Sequence, residues 1–464
     1  MMHGSDLVKR SCSFVMFFCM EDMKAMKEKI ILVYEAIQRY NGFYKTMLRN
    51  TTFCAFCETF DHVDREMSIG RPTLEWMRYA PIESSVGDED AIVMPLYRIE
   101  KKPSSTVISF GRDVPESYIA LDRAGRPIVY NDRGYTYKRS LDGTLHVRHR
   151  HSSHHRRERR VLTVDEAKEV LERAYAHLEH VREHLMERRE EVMRWTPDKL
   201  LYEEKLRFRE VYAYPITILP PDAYFDVVLQ ATFGCTWNQC TFCSFYKDRT
   251  FAKRDAASFR EHVRMVRAFL GDSLSLRKNV FLADGNVLAL GEPLIPLLKT
   301  VRTFFPERRI ASFLDLWSGY KKDRLWWKTL AELGLYRVSI GLESGSSNIL
   351  RIFNKPGEPE EAIELIHDLK QAGLAVNVIF LVGAGGVPFR EEHFRDSMRI
   401  LSRLPLHAND IVYLSPLVHN SELAAVDPEL TTLPDLDEEL SRWFDSVKAL
   451  GYKASLYDIR EFLY

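Results

Sequence analysis

Three cysteines fall within nine residues, Cys235-Thr-Trp-Asn-Gln-Cys240-Thr-Phe-Cys243. With gaps of four and two residues, three thiolates on one loop can wrap one face of an iron–sulfur cube, each taking one iron. Residues 244–464 contain no further cysteine, so a fourth thiolate cannot come from downstream. Three protein ligands on a four-iron cluster leave one iron open to a substrate or cofactor, as in a catalytic zinc site that keeps a position free. Other readings of the same residues stand beside this one. A two-iron ferredoxin shares the spacing but needs a distant fourth cysteine, and Cys12, Cys19, Cys54 and Cys57 all lie upstream, in the wrong order. A zinc site would take His262 or His367 as fourth ligand. The blandest reading is three thiols without a task.

The loop needs a frame, and the chain from residue 222 supplies one. Apolar strand-like runs at Asp226–Gln230, Asn279–Leu282, Ile310–Leu314, Tyr336–Ile340, Ala375–Leu381 and Ile411–Leu414 are each separated by a helix-length segment. Strands alternating with helices form parallel βα units, which right-handed crossovers curl into an open or closed barrel with its site at the strand C-termini. The expected fold class is therefore α/β, a partial (βα)6 barrel over 222–464, closed by a helix near Asp437–Ala449 and the tail Lys453–Tyr457. The cysteine loop follows the first strand, at the mouth of this barrel.

These pieces in register resemble the radical S-adenosylmethionine (radical SAM) superfamily, with a looser likeness to its iron–sulfur oxidoreductase subgroup. The cysteine loop resembles the family's cluster motif, with Phe242 where the family stacks an aromatic near adenine. Phe281-Leu-Ala-Asp-Gly-Asn286 ends the second strand, where the family sets backbone groups against the methionyl amine, which implicates Asp284, Gly285 and Asn286. Val338-Ser-Ile-Gly-Leu-Glu-Ser-Gly-Ser346 resembles the end of the fourth strand, with Glu343 and Ser344 as cofactor contacts, and Asn354-Lys-Pro-Gly357 follows it. Val378–Gly383 with Ala384-Gly-Gly386 resembles the fifth strand, with Gly383 near adenine. The resemblance implies a [4Fe-4S] cluster held by Cys235, Cys240 and Cys243, and S-adenosyl-L-methionine chelating the open iron. Reductive cleavage would then yield a 5′-deoxyadenosyl radical that takes hydrogen from a substrate. It also implies an external electron donor such as ferredoxin or flavodoxin. The sequence departs from the family pattern in its four-residue first gap, in Asp284-Gly285-Asn286, and in a fifth strand without the glutamate some members carry. No cobalamin-binding signature precedes the barrel.

The rest of the chain reads less sharply. Residues 1–95 form an extension of unclear fold, with helical spacing over Glu21–Tyr40 and an isolated Cys54-Ala-Phe-Cys57 whose thiols are read as buried or unpaired, an auxiliary metal site being the alternative. Residues 96–160 form a small antiparallel unit with β-runs at Tyr118–Leu121, Pro127–Tyr130, Tyr135–Lys138 and Thr144–Val147. It ends in His149–Arg160, a His/Arg-rich run expected to be a solvated loop, with nucleic acid or phosphate binding as the alternative. Residues 161–221 form a helical connector opened by a Thr163/Glu166 capping box, with an apolar stripe (Ala174, Leu178, Val181, Leu185) on a helix reaching about Arg194. His177, His180 and His184 are expected to form a solvent-facing ridge, and Trp317, Trp326 and Trp327 to lie in the core. Asp315 closes the third barrel strand, facing either the cavity or a helix start.

Lys+Arg of 65 against Asp+Glu of 66 excludes a globally basic nucleic-acid binder. No run approaches a membrane span, and seven cysteines do not form a secretory disulfide framework, so a cytoplasmic enzyme is expected. The alternative function is a non-catalytic iron–sulfur or zinc module for electron transfer or RNA binding.

Overall fold

The computed structural model describes residues 97–464, apart from 112–115, 151–156, 419–420 and 432. The Glu21–Tyr40 helix and Cys12, Cys19, Cys54 and Cys57 lie outside the described residues.

Seven parallel strands make the sheet of the barrel: β8 (Val227–Gln230), β9 (Val280–Ala283), β10 (Ile310–Leu314), β11 (Leu335–Glu343), β12 (Ala375–Val382), β13 (Ile411–Pro416) and β14 (Ala454–Leu456). Their spatial order is their chain order, and β8 and β14 are its unjoined edges. The six expected strands are all present, and the tail adds the seventh. Strands buried on both faces need apolar side chains throughout, which is why Val-Val-Leu, Val-Phe-Leu-Ala and Val-Ile-Phe-Leu-Val read as continuous apolar runs. Their outward residues Leu229, Leu282, Val338 and Phe380 share one core with helix residues Phe259, Val263, Leu298, Trp327 and Trp443. The covering helices include α3 (Ala256–Leu270), α4 (Leu294–Phe304), α6 (Arg324–Glu332), α8 (Glu361–Gln371), α9 (Gly386–Leu401) and α10 (Leu436–Ala449). The short α5 (Leu316–Tyr320) and α7 (Ser347–Ile352) follow the ends of β10 and β11.

The antiparallel unit has seven strands in meander order, not four: β1 (Tyr97–Lys101), β2 (Ser105–Phe110), β3 (Ser117–Asp122), β4 (Pro127–Asp132), β5 (Tyr135–Arg139), β6 (Leu145–Arg150) and β7 (Arg157–Val161). Strand β7 corrects the solvated-loop reading of His149–Arg160. It pairs with β6 from His146↔Val161 to Arg150↔Arg157. Arg159 meets Asp458 at 3.2 Å and also pairs with Glu461, so the positive charge is answered by the far end of the chain. Strand β1 escaped notice because its pattern, Tyr-Arg-Ile-Glu-Lys, is that of a half-exposed edge.

One face of this sheet packs under α1 (Val164–His180), through Ile108, Ile119, Tyr130 and Leu145 against Ala167, Val170, Ala174 and Leu178. The capping box is formed at its start. The helix does not run to Arg194: it stops at His180, continues as a 3₁₀ turn over Arg182–Arg188 with Met186 at φ 51°, and resumes over Arg189–Met193. The histidine ridge stands in part: His180 and His184 are exposed and His177 is half-buried. The His177 ring lies 4.9 Å from Phe110 and the His184 ring 5.1 Å from Tyr97, so the expected solvent ridge is partly the cover of the sheet edge.

A buried ionic knot ties sheet to barrel. Arg126 donates to Asp122 at 2.9 Å and to Glu204 of α2 (Glu204–Val211) at 2.6 Å, and also to Ser273 Oγ and the Leu270 carbonyl at the end of α3. Its five guanidinium donors suit such a many-sided site.

Candidate cofactor site at the strand ends

The loop carrying Cys235, Cys240 and Cys243 leaves β8 and is pinned from three sides. Thr241 N donates to the Phe353 carbonyl at 3.0 Å and Trp237 Nε1 to the Asn354 carbonyl at 2.7 Å, tying it to the segment after α7. Asn238, at φ 51°, donates to the Tyr246 carbonyl at 2.8 Å. Tyr246 in turn accepts from Gly285 N on its phenol oxygen at 3.0 Å.

Gly285 stands at φ +40° with no room for a side chain. A Cβ there would lie 2.5 Å from the Gly234 carbonyl oxygen and 2.9 Å from Cys235 Cα. The end of β9 is thus pressed directly on the first cysteine. Its neighbour Asn286 is buried. The Asn286 amide donates to Ser318 Oγ at 2.6 Å and to Asp315, while its own oxygen Oδ1 is buried with no partner. A desolvated acceptor left open is costly unless a ligand donates to it.

Across the mouth, β11 carries a bulge between Gly341 and Glu343, and Glu343 sits at φ 66°. A left-handed non-glycine residue is a strained conformation of the kind that clusters at functional sites. The Glu343 side chain folds over Gly341, where any Cβ would overlap its Oε1, and meets Lys355 Nζ at 3.3 Å. Burial opposes the Lys355 charge, but Glu343, then Cys240 and Asp315, outweigh it and hold its pKa above the ordinary lysine value. Lys355 Nζ also lies 5.8 Å from the Phe242 ring centroid. Burial, the largest influence, pushes the Cys240 and Cys243 thiols up, to about 11 and about 12; Lys355 pulls the other way on both. Such desolvated thiols ionise when a cation binds them.

The third side of the mouth is apolar. Phe242 packs on Phe353 at 4.8 Å and joins Ile349, Leu381 and Ala384 in one cluster. Beside it Gly383, at φ 93°, lines a cavity of about 370 Å³ with Leu417, Leu433 and Leu436.

The structure therefore brings Cys235, Cys240, Cys243, Gly285, Asn286, Glu343, Phe242 and Gly383 around one end of the sheet. The side chains of two further expected contact residues point elsewhere. The Asp284 side chain turns away, buried against Arg249 Nη1 at 3.2 Å and Gln230 Nε2 at 3.3 Å. Burial raises its pKa to about 6 against the pull of Arg249. The Ser344 hydroxyl faces α9, 2.9 Å from His393 Nδ1, and accepts from Ser346 N at 3.0 Å. Their side chains serve the frame: Asp284 braces the end of β9, and Ser344 braces the turn after Glu343. Asp315 takes the helix-start alternative, capping α5 by accepting from Ser318 N at 2.7 Å, and it also accepts from Asn286. Lys355 is the residue the site reading passed over, though it stands within the noted Asn354-Lys-Pro-Gly357.

The residues fit a [4Fe-4S] cluster and S-adenosylmethionine. Among the described residues no group of three or more His, Cys, Asp or Glu side chains is placed to hold a single metal ion. The zinc reading loses its fourth ligand. His262 takes the Gln230 N–H on Nε2 at 3.0 Å and sets Nδ1 3.1 Å from the Val211 carbonyl, and His367 is exposed on α8. The open Asn286 Oδ1 is the acceptor an amino group needs, and the bare Gly285 backbone permits a close approach.

Residues 229–398 match the family model of the Radical SAM superfamily. The chain thus carries a radical SAM domain, and enzymes of this superfamily use a [4Fe-4S] cluster with S-adenosylmethionine. No curated protein matches it. Among solved structures it is similar to the coproporphyrinogen III oxidase of Escherichia coli, a radical SAM enzyme (15% identity, TM-score 0.39, 54% of this chain and 56% of that one). It is also similar to methylornithine synthase (14%, TM-score 0.36, 50% and 70%). A third is the cobalamin-dependent S-adenosylmethionine radical enzyme OxsB (17%, TM-score 0.33, 47% and 31%). The match spans under a third of OxsB and just over half of the oxidase, and no activity or substrate passes from them to this chain. No helix among the described residues is long and apolar enough to cross a membrane.

Proposed function

We propose that this chain is a cytoplasmic radical SAM oxidoreductase or transferase. Cys235, Cys240 and Cys243 would hold one [4Fe-4S] cluster whose open iron takes S-adenosylmethionine. When bound, the pair supplies an electron that breaks the cofactor's sulfonium C–S bond, giving the 5′-deoxyadenosyl radical that abstracts hydrogen from a substrate. The protein's part is to bind, orient and exclude water. Asn286 Oδ1 accepts from the cofactor's amino group, and Asp315 with Ser318 fixes the amide that presents it. Lys355, held charged, offsets the negative charge of the thiolates beside Cys240 and keeps Glu343 in its strained position. Phe242 and the apolar cavity beside Gly383 shelter the adenine side from solvent.

One observation carries this reading above the rest: the end of β9 is seated on Cys235 through a glycine that tolerates no side chain, with an unpartnered acceptor next to it. The test is anaerobic reconstitution with iron and sulfide, followed by dithionite and S-adenosylmethionine. About four irons per chain, visible thiolate–iron absorbance and 5′-deoxyadenosine are expected. Cys240→Ser should lose both the absorbance and the product, and a variant that keeps both would place the cluster elsewhere.

A further inference from the structure

The last two barrel strands bring two hydroxyls to the mouth that the cofactor site does not use. Strands β13 and β14 pair as Tyr413↔Ser455 and Leu414↔Leu456, and Tyr457 N continues the ladder by donating to the Leu414 carbonyl at 2.9 Å. Successive strand residues alternate between faces. Leu414 lies in the outer core and Leu456 is exposed, so Tyr413, Ser415 and Tyr457 face inward. The contacts agree: Tyr457 clusters with Ile379 and Tyr413, its ring 5.5 Å from that of Tyr413, with Ile218, Phe313 and Ile459 packed alongside. Ser415 pairs with Leu381, a member of the Phe242 cluster, and so stands at the height of the proposed cofactor. Phe313 and Gly341 face the same interior and keep part of their surface exposed, so the interior is open beside them.

Both hydroxyls are idle. Tyr457 is 2% exposed and its Oη is buried with no partner, whereas the Tyr413 hydroxyl donates to Asp222 at 2.9 Å. Ser415 is 4% exposed, and its Oγ makes no hydrogen bond among the described residues. Desolvated donors left open are costly unless a ligand accepts from them. Burial, then Tyr224, Tyr246, Glu343 and Tyr413, hold the Tyr457 pKa well above the ordinary phenol value, so it stays a neutral donor. The carboxylates around it are already answered: Glu343 by Lys355, Asp284 by Arg249 and Asp222 by Arg337. A charged substrate would find no free counter-charge in these pairs, and burying an unpaired charge is costly.

We infer that Tyr457 and Ser415 anchor a neutral, largely apolar substrate inside the barrel by donating to one carbonyl-type oxygen. The inference rests on the radical SAM reading and adds the substrate's chemical class and the residues that select it. Ile379, Phe313 and Tyr413 supply the apolar wall, and the two hydroxyls fix which end of the molecule is turned toward β13 and β14.

The test is a fluorine NMR titration of the reconstituted full-length enzyme with three probes: 4-fluoroacetophenone, 4-fluorotoluene and 4-fluorobenzoate. Wild type should bind the ketone more tightly than the other two. Tyr457→Phe should weaken the ketone about three- to tenfold, the range of one neutral hydrogen bond, and leave 4-fluorotoluene within about twofold. Ser415→Ala should weaken the ketone in the same direction. Tyr413→Phe, which removes a hydroxyl already taken by Asp222, should leave ketone affinity within about twofold. An unchanged ketone affinity in Tyr457→Phe at wild-type iron content overturns the anchor. So does an equal loss in Tyr413→Phe, which would mark a general packing effect, and so does tighter binding of the benzoate than of the ketone. A wild type that assembles no four-iron cluster overturns the radical SAM reading, and the substrate role falls with it.

Discussion

Gly285→Ala is the sharpest probe of how the barrel grips the cysteine loop. The new Cβ would start 2.5 Å from the Gly234 carbonyl oxygen, where ordinary contact begins at 3.4 Å, so the two backbones must part by about 0.9 Å (3.4 − 2.5). Neither partner is a flexible side chain that can swing aside. Holding alanine in the left-handed region costs about 1–2 kcal/mol, and overpacking against fixed backbone adds about 1–3 kcal/mol. The expected loss of stability is about 2–5 kcal/mol. The displacement matters as much as the energy, because a ligand set must be held to within about 0.5 Å to work. Gly373→Ala is the control: Gly373 has φ +80° with no atom within 4 Å of its would-be Cβ, so it carries a positive-φ penalty without the clash. Urea titration of the apo proteins and iron counting after anaerobic reconstitution give the two readouts. Gly285→Ala should be clearly less stable than Gly373→Ala and hold less than half the wild-type iron, while the control holds all of it. Equal midpoints with full iron in both would refute the claim that β9 is seated on Cys235.

Two further outcomes follow from buried charges. Arg126→Met leaves Asp122 buried without its cation and Glu204 with Arg207 alone and should cost about 3–5 kcal/mol in a denaturant titration. Adding Asp122→Asn and Glu204→Gln should recover part of it, and a loss under about 1 kcal/mol for the single change would mean the knot is solvated. Burial depresses His393 to about 4, against about 6.5 in an unfolded chain. Its neutral form therefore stabilises the fold fully above pH 6.5, and that contribution drains away as pH falls from 6.5 to 4. The stability gap between wild type and His393→Gln should narrow by about 3 kcal/mol over that interval, and a gap independent of pH would show that burial does not shift the titration of His393.

The barrel was legible because its code is local. A parallel strand covered on both faces must be apolar at every position, and six such runs spaced by helix-length segments leave little freedom of topology. The cysteine loop was legible for the same reason, since three ligands in nine residues need no long-range knowledge. Strand β7 was not. Arg157-Glu-Arg-Arg-Val161 has the composition of a solvated segment, and what makes Arg159 a strand residue is a pair of carboxylates some 300 positions away. Trp317 misled in the opposite direction: composition places tryptophan inside, whereas here its exposure comes from the tight turn of α5, whose Gly319 packs against Leu314 and Leu365 and turns the indole outward.

The side-chain directions at the strand ends are where sequence pattern fails for a definite physical reason. Strand alternation assigns each residue to one face, but a bulge advances the count by one. On β11 the bulge falls between Gly341 and Glu343, so alternation counted from Ser339 no longer tells where Glu343 points. Its carboxylate reaches Lys355 only because Gly341 has no Cβ and the backbone accepts φ 66°. None of these three conditions has a signature alone: a glycine, an acid and a lysine at these separations occur in any loop. Together they leave one anion–cation pair facing Cys240. The strain at Glu343 persists because the pair, the bulge and the Ser344–His393 bond behind it over-determine the turn. That is the arrangement expected of a site whose geometry is set by the protein in advance of the cofactor it receives.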